Sequence, residues 1–243
     1  MSKISNAEAI AVWSAMPNEA MDAYDDQGDF AKRHLLNNHL FRLLGSVDGQ
    51  RVMDAGCGQG YLGRLLADRG AVVVAVEPAD ALIGRAREIE REHPRGISFT
   101  QADLANMPDL GGPVDAVVCN MVLLSIPDWK AALASCVESL RPGGRLVFSV
   151  HHPAFEELLP TWSSLGHYRT EQYFDEYELH GPHATDFHRP LSAYINEVIA
   201  LGCRIAEVCE PRLDAVVAHE STIQGIEAYT RLPNFVIVAA VKD

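Results

Sequence analysis

The sequence holds 243 residues, 48% of them hydrophobic and 22% charged, enough for one α/β domain with a full core. Acidic side chains outnumber basic ones 33 to 20, a formal net charge of −13, and the densest basic stretch, Arg85 to Arg95, is interleaved with Glu88, Glu90 and Glu92. Phosphate recognition needs concentrated positive charge, so nucleic acid and anionic membranes are disfavoured as partners and a small molecule is expected.

Residues 1 to about 46 read as helical, with Leu35, His39, Leu40, Leu43 and Leu44 at three- and four-residue spacing. Gly28 breaks the pattern and Asp29 is placed to cap the helix that follows. Val47 to Met53 is then a short apolar run ending at Asp54, followed by Gly56, Gly58 and Gly60 before a new helical pattern begins. That order predicts a strand, a tight turn and a helix N-terminus. Glycines allow positive φ and leave no Cβ between backbone and ligand, while the first N–H groups of the helix have no partners of their own. A ligand with a polar end is expected across this turn.

Gly58 to Gly63 fits the dinucleotide fingerprint G-x-G-x-x-G, a weak signal by itself. An acid at Asp54, before the glycines, would repel a pyrophosphate but suits a cationic amino-acid head. The next strand, Ala71 to Val76, ends in Glu77, where a carboxylate can accept hydrogen bonds from both hydroxyls of a ribose. The two acids together describe S-adenosyl-L-methionine better than NAD.

On these residues the sequence resembles the class I S-adenosylmethionine-dependent methyltransferases, and the resemblance extends over most of the chain. It implies an α/β fold: a Rossmann-like seven-stranded sheet, mostly parallel with the last strand antiparallel, and helices on both faces. It implies one domain over 1–243, with a helical cover (1–46), a cofactor-binding core (47–150), a substrate-lid insertion (151–195) and a final helix and strands (196–243). Cofactor contacts are implied at Asp54, Ala55, Gly56, Gly58, Gly60, Glu77 and Pro78. An acid in the place of Asp103 meets the adenine amino group in the family, with the next N–H, that of Leu104, meeting a ring nitrogen. Asp103 can equally serve as a turn or helix cap. Tyr24 and Arg33 match, loosely, a tyrosine and an arginine that reach the cofactor's methionine end or the substrate; bracing the helix pair is their alternative role.

Four further strand–helix steps follow the glycine turn, with strands at Ala71 to Val76, Gly96 to Thr100, Asp115 to Asn120 and Arg145 to Val150. Such alternation implies a parallel doubly wound sheet, and Asn120 ends a strand facing the crevice where such sheets bind ligands. Arg141-Pro142-Gly143-Gly144 reads as an architectural reversal. From 151 to about 195 prolines interrupt periodicity and aromatics and histidines are dense, the composition of a lid whose rings would wall an apolar or planar acceptor or pack on one another. Helix Tyr194 to Leu201 and strands Cys203 to Cys209 and Asn234 to Val241 complete the sheet.

Methyl transfer to a protonated acceptor needs a base, and His151 and His152 sit at the crevice end of the fifth strand. Strand parity allows only one of them to face a substrate. His180, His183, Asp186 and His188 form no established zinc spacing, so no metal is expected. The five cysteines are odd in number with no C-x-x-C pair, and MSKISNAEAI lacks a signal-peptide pattern. A cytoplasmic monomer or homodimer is expected, methylating oxygen, nitrogen or carbon of a small aromatic or apolar acceptor. The alternatives are a cofactor-binding module without transfer activity and a protein methyltransferase.

Overall fold

Local chemistry sets the element boundaries. The computed structural model describes residues 4–22, 24–181 and 184–243. Helix α1 (Asn6–Ser14) starts in a capping box: the Ser5 hydroxyl accepts from the Glu8 N–H and the Glu8 carboxylate accepts from the Ser5 N–H. After α2 (Asn18–Asp22), a tight turn pairs Asp25 with Gly28. The Asp29 carboxylate then accepts from the Lys32 N–H at 2.9 Å, as its capping role predicts. One π-helical turn, Lys32–Leu36, leads into α3 (Asn37–Leu44).

Strands β1 (Arg51–Ala55), β2 (Val72–Val76), β3 (Ser98–Thr100), β4 (Val114–Asn120) and β5 (Leu140–His151) are parallel, in the spatial order β3-β2-β1-β4-β5. A small separate hairpin, β6 (Tyr177–His180) with β7 (Thr185–His188), follows in the chain. β8 (Cys203–Cys209) and β9 (Phe235–Lys242) then complete the main sheet. β9 lies antiparallel between β5 and the edge strand β8, so six strands run one way and β9 the other. β2 is nearly all valine because a parallel strand is covered on both faces. The expected reversal at Arg141–Gly144 bulges out of β5, between the pairs Val114↔Leu140 and Ala116↔Arg145, with Gly143 at φ +72°.

One apolar core packs α3 and α4 (Tyr61–Ala67) on Val52, Val73 and Ala75. Beyond α5 (Asp80–Glu92), a second core packs α6 (Trp129–Glu138) and, after α7 (Leu158–Leu165), α8 (Leu191–Ala200) on the other face, against Met53, Val117 and Phe148. Strand order reverses between β1 and β4, which opens a crevice at their C-terminal ends. No described helix is long and apolar enough to cross a membrane, and all five cysteines are free, with Cys209 only half-buried.

Candidate functional site

The crevice is a cavity of about 370 Å³, within the size range of small-ligand pockets. Its floor is the glycine turn. Gly56 sits at φ +73° and a Cβ there would collide with the Val122 side chain, so the position admits only glycine. Gly58 is also left-handed but meets nothing, leaving its surface open to the cavity. Glu77 folds back from the tip of β2 and accepts from the N–H of Gly58 (3.0 Å) and of Ala79 (2.9 Å). Burial raises its carboxyl to about 7 in spite of those two donors. Pro78, Asp103 and Leu104 continue the wall, and the Asp103 carboxylate caps its turn by accepting from the Ala105 N–H at 3.0 Å.

Polar side chains from the N-terminal helices and from the end of β4 complete the wall. The Lys32 ammonium, nearly enclosed, pairs with Asp29 at 2.7 Å and donates to the Tyr24 hydroxyl at 3.3 Å. Burial works against its charge, but the Tyr24 and Asp29 oxygens outweigh it and hold the ammonium above its usual pKa. Asn120 is locked at the end of β4: its amide donates to the Tyr61 hydroxyl (2.6 Å) and its carbonyl accepts from the Ser149 hydroxyl (2.6 Å). Met121, next in the chain, takes φ +59°, held by its N–H to the Ser149 carbonyl and hydroxyl. A non-glycine residue in that region costs free energy and marks a position the fold over-determines. Beyond it, the Ser125 hydroxyl donates to Asp186 at 2.5 Å, and His151 faces the same space with its ring on Phe235. Burial lowers the His151 pKa, opposed chiefly by the Asp186 charge, so its imidazole is neutral at physiological pH and can accept a proton.

A profile of the methyltransferase-domain family matches residues 27–181, more than half of the chain. The chain belongs to the class I S-adenosylmethionine-dependent methyltransferases. Among curated relatives it is 33% identical over 151 residues to a ubiquinone biosynthesis O-methyltransferase of Idiomarina loihiensis, covering 58% of this chain and 59% of the relative. The enzyme of the same name from Alkalilimnicola ehrlichii is 31% identical over 131 residues, covering 52% and 53%. The chain thus spans a little over half the length of these relatives. A methyltransferase structure from Mesorhizobium loti superposes with TM-score 0.72 at 24% identity, over 84% of this chain and 96% of that one. Magnesium protoporphyrin IX methyltransferase from Synechocystis PCC 6803, with bound S-adenosylmethionine, gives 0.62 at 19% identity, over 100% and 99%. At these identities the two structures establish the shared fold.

Against the family's pattern, several residues stand elsewhere than the sequence suggests. Asp54, expected to meet the cofactor's ammonium, is buried beneath α4 and does not line the cavity. β1 alternates: Val52 and Asp54 face α4, and the missing Cβ of Gly63 leaves room for the carboxylate. Among the described residues one Asp54 oxygen has no hydrogen-bond partner, and burial raises its carboxyl to about 7. Ala55 points into the second core and Gly60 serves as the left-handed N-cap of α4, so neither lines the cavity. Arg33 also lies off the cavity wall, exposed and paired with Asp25, and its neighbour Lys32 lines the cavity instead. Lys32 shares the inward stripe of the helix with buried Leu35 and Leu36, whereas Arg33 falls outside it. His152 is turned from the cavity: its Nδ1 accepts from the Ala154 N–H and its Nε2 donates to Glu210 at 2.9 Å. Lys32 and Tyr61 carry no spacing signal that singles them out, and Asp29 and Asp186 are legible only as a helix cap and as part of a histidine-rich stretch.

The aromatic rings of 151–195 pack mostly on one another rather than on the cavity, to which the hairpin contributes Ala184 and Asp186. At their centre His188, fully buried, holds Glu156 at 2.6 Å and the Tyr173 carbonyl at 2.9 Å, stacked on Tyr177. His183 lies outside the described residues; among those described, no group of three or more side chains is placed to hold a metal. At the other end of the hairpin Arg189 is buried, with no carboxylate paired to it among the described residues. It donates to the carbonyls of Leu123 (3.0 Å) and Ile126 (2.8 Å) and lies between the Trp129 and Phe187 rings. That grip fixes the turn carrying Ser125.

Burial disfavours the charged His188, but the Glu156 and Tyr173 hydrogen bonds prevail and raise its pKa above 6.5. Its contribution to stability is therefore complete below the unfolded pKa and lost as pH rises through the folded one. Thermal denaturation at several pH values should show His188→Gln losing most relative to the parent at acid pH and least at alkaline pH. A pH-independent difference would show the pair is uncharged.

Proposed function

We propose that the protein is an S-adenosylmethionine-dependent methyltransferase acting on a small acceptor, with an oxygen the favoured atom. The observation that carries this reading is that one cavity is lined both by the glycine turn with Glu77 and by a neutral His151 with Asp186. The nucleoside would lie along Gly58, Glu77 and Asp103, its ribose hydroxyls donating to Glu77. The carboxylate of the methionine end would meet Lys32, where Tyr24 and Asp29 hold the ammonium in position. When bound, the sulfonium supplies the methyl group.

The chain's own work is alignment, exclusion of water and removal of one proton. Asn120 and Met121, both held by Ser149, fix the rim at which an acceptor would line up with the methyl group, and much of the rate can come from such positioning. The bound cofactor, held by Glu77 and Lys32, would supply that methyl group to the acceptor oxygen and become S-adenosylhomocysteine. The acceptor's proton passes to His151. Because a base is required only by an acceptor that keeps its proton at neutral pH, a role for His151 points to a hydroxyl. The relatives named O-methyltransferases favour the same choice.

Transfer of labelled methyl from the cofactor into pooled hydroxylated metabolites tests the activity. Once an acceptor is found, His151→Asn should lower kcat by about 100- to 1,000-fold. Affinity for S-adenosylhomocysteine should stay nearly unchanged. Full activity in that variant would remove His151 from the proton transfer.

A further inference from the structure

Asn6, the first residue of α1, uses its whole carboxamide. Its Nδ2 donates to both carboxylate oxygens of Asp103, at 3.0 and 3.3 Å, and its Oδ1 accepts from the Asp128 N–H at 2.8 Å. One side chain on the N-terminal cover thus ties together the loop after β3 and the loop after β4. At the other end of α1 the Ser14 hydroxyl accepts from the Asp80 N–H at 3.1 Å. Between these pins the helix holds on weakly: Ala9 is its one buried residue, Val12 is 44% exposed, and Ile10 and Trp13 look into the cavity. A helix with so little apolar burial depends on its end contacts to stay seated.

Lone-pair accounting at Asp103 gives the arrangement a direction. One oxygen takes two donors, Asn6 and the Ala105 N–H, and the other takes, among the described residues, Asn6 alone. A carboxylate oxygen accepts two hydrogen bonds, so the second oxygen keeps one site. Asp103 and Asn6 both line the cavity. We propose that Asn6 is a positioning residue for the nucleoside: it orients Asp103 so that the remaining site meets the exocyclic amino group of adenine, and by bridging to Asp128 it latches α1 over the bound cofactor. The proposal rests on the reading above that adenine lies at Asp103. Adenine recognition and closure of the cover are then one event, because both depend on the same carboxylate and the same amide. Release of the cofactor is then slowed by the contacts of Asn6 with both loops.

The test uses the full chain and needs no acceptor. Dissociation of S-adenosylhomocysteine is followed by stopped-flow fluorescence, Trp13 being in the cavity wall. Its affinity is compared with that of S-inosylhomocysteine, in which a carbonyl replaces the amino group. Loss of a hydrogen bond to a charged group should make Asn6→Ala release S-adenosylhomocysteine about tenfold faster. Preference for adenine over hypoxanthine should fall by about fivefold, towards that of Asp103→Ala, with thermal melting of the ligand-free chain little altered. Asn6→Asp, which places a like charge against Asp103, should exceed both effects. A merely structural Asn6 would move the melting temperature but not the base preference. If Asp103→Ala loses the preference while both Asn6 variants keep parental dissociation rate and preference, the latch is refuted and adenine at Asp103 stands. If Asp103→Ala itself keeps the preference, the placement of adenine fails and the proposal falls with it.

Discussion

Glu77→Ala should weaken S-adenosylhomocysteine binding by about 100-fold or more in calorimetry, since two hydrogen bonds to a charged group are worth about 1.5–3 kcal/mol each. The loss has a second source. Glu77 also holds the Gly58 and Ala79 N–H groups, so its removal loosens the glycine turn that would face the ligand. Glu77→Gln keeps an acceptor and should fall between the two. Burial raises the Glu77 carboxyl from 4.5 to about 7. The folded chain therefore binds this proton more tightly than the unfolded one, and the associated stability is present below pH 4.5 and lost as pH rises through about 7. Ligand affinity runs the other way. Ribose hydroxyls donate to the ionised form, so binding should release a proton and weaken as pH falls below about 7. Calorimetry in buffers of different ionisation enthalpy measures that proton, and Glu77→Gln should abolish its release. Unchanged affinity in Glu77→Ala would remove the nucleoside from the tip of β2.

Arg189→Met should be the most destabilising of the substitutions considered, by about 3–5 kcal/mol in chemical denaturation. Methionine replaces much of the buried volume but offers no donor. The Ile126 carbonyl would then lose its donor and the Leu123 carbonyl would keep only the Ile126 N–H at 3.4 Å, beside the Trp129 and Phe187 rings. The turn at Leu123–Ser125 would lose its anchor and the Ser125–Asp186 contact with it. Limited proteolysis should accordingly find new cleavage between residues 121 and 128 in this variant. Arg189→Lys retains the charge but cannot span both carbonyls with a planar fork, so it should recover only part of the loss. A fully stable Arg189→Met would mean that the loop is held by packing alone.

The sequence by itself determined the chain of elements and the nature of the crevice. Strands alternating with helices set a parallel sheet, and glycines that can adopt positive φ after an apolar run set the turn at Gly56 to Gly60. The acid at the end of the next strand set Glu77, because these features depend on neighbours a few residues apart. Tertiary structure decided which of two adjacent candidates faces the cavity. His151 rather than His152, and Lys32 rather than Arg33, look inward. Asp54 lies beneath the turn and not in it, because strand and helix phase become absolute only when a layer packs on one side. Asn6 meets Asp103 and Asp128 across separations of 97 and 122 residues, and Ser125 meets Asp186 across 61. No local pattern encodes such pairings. They exist only because the sheet brings its loops to one edge, where a few polar side chains close over a common space.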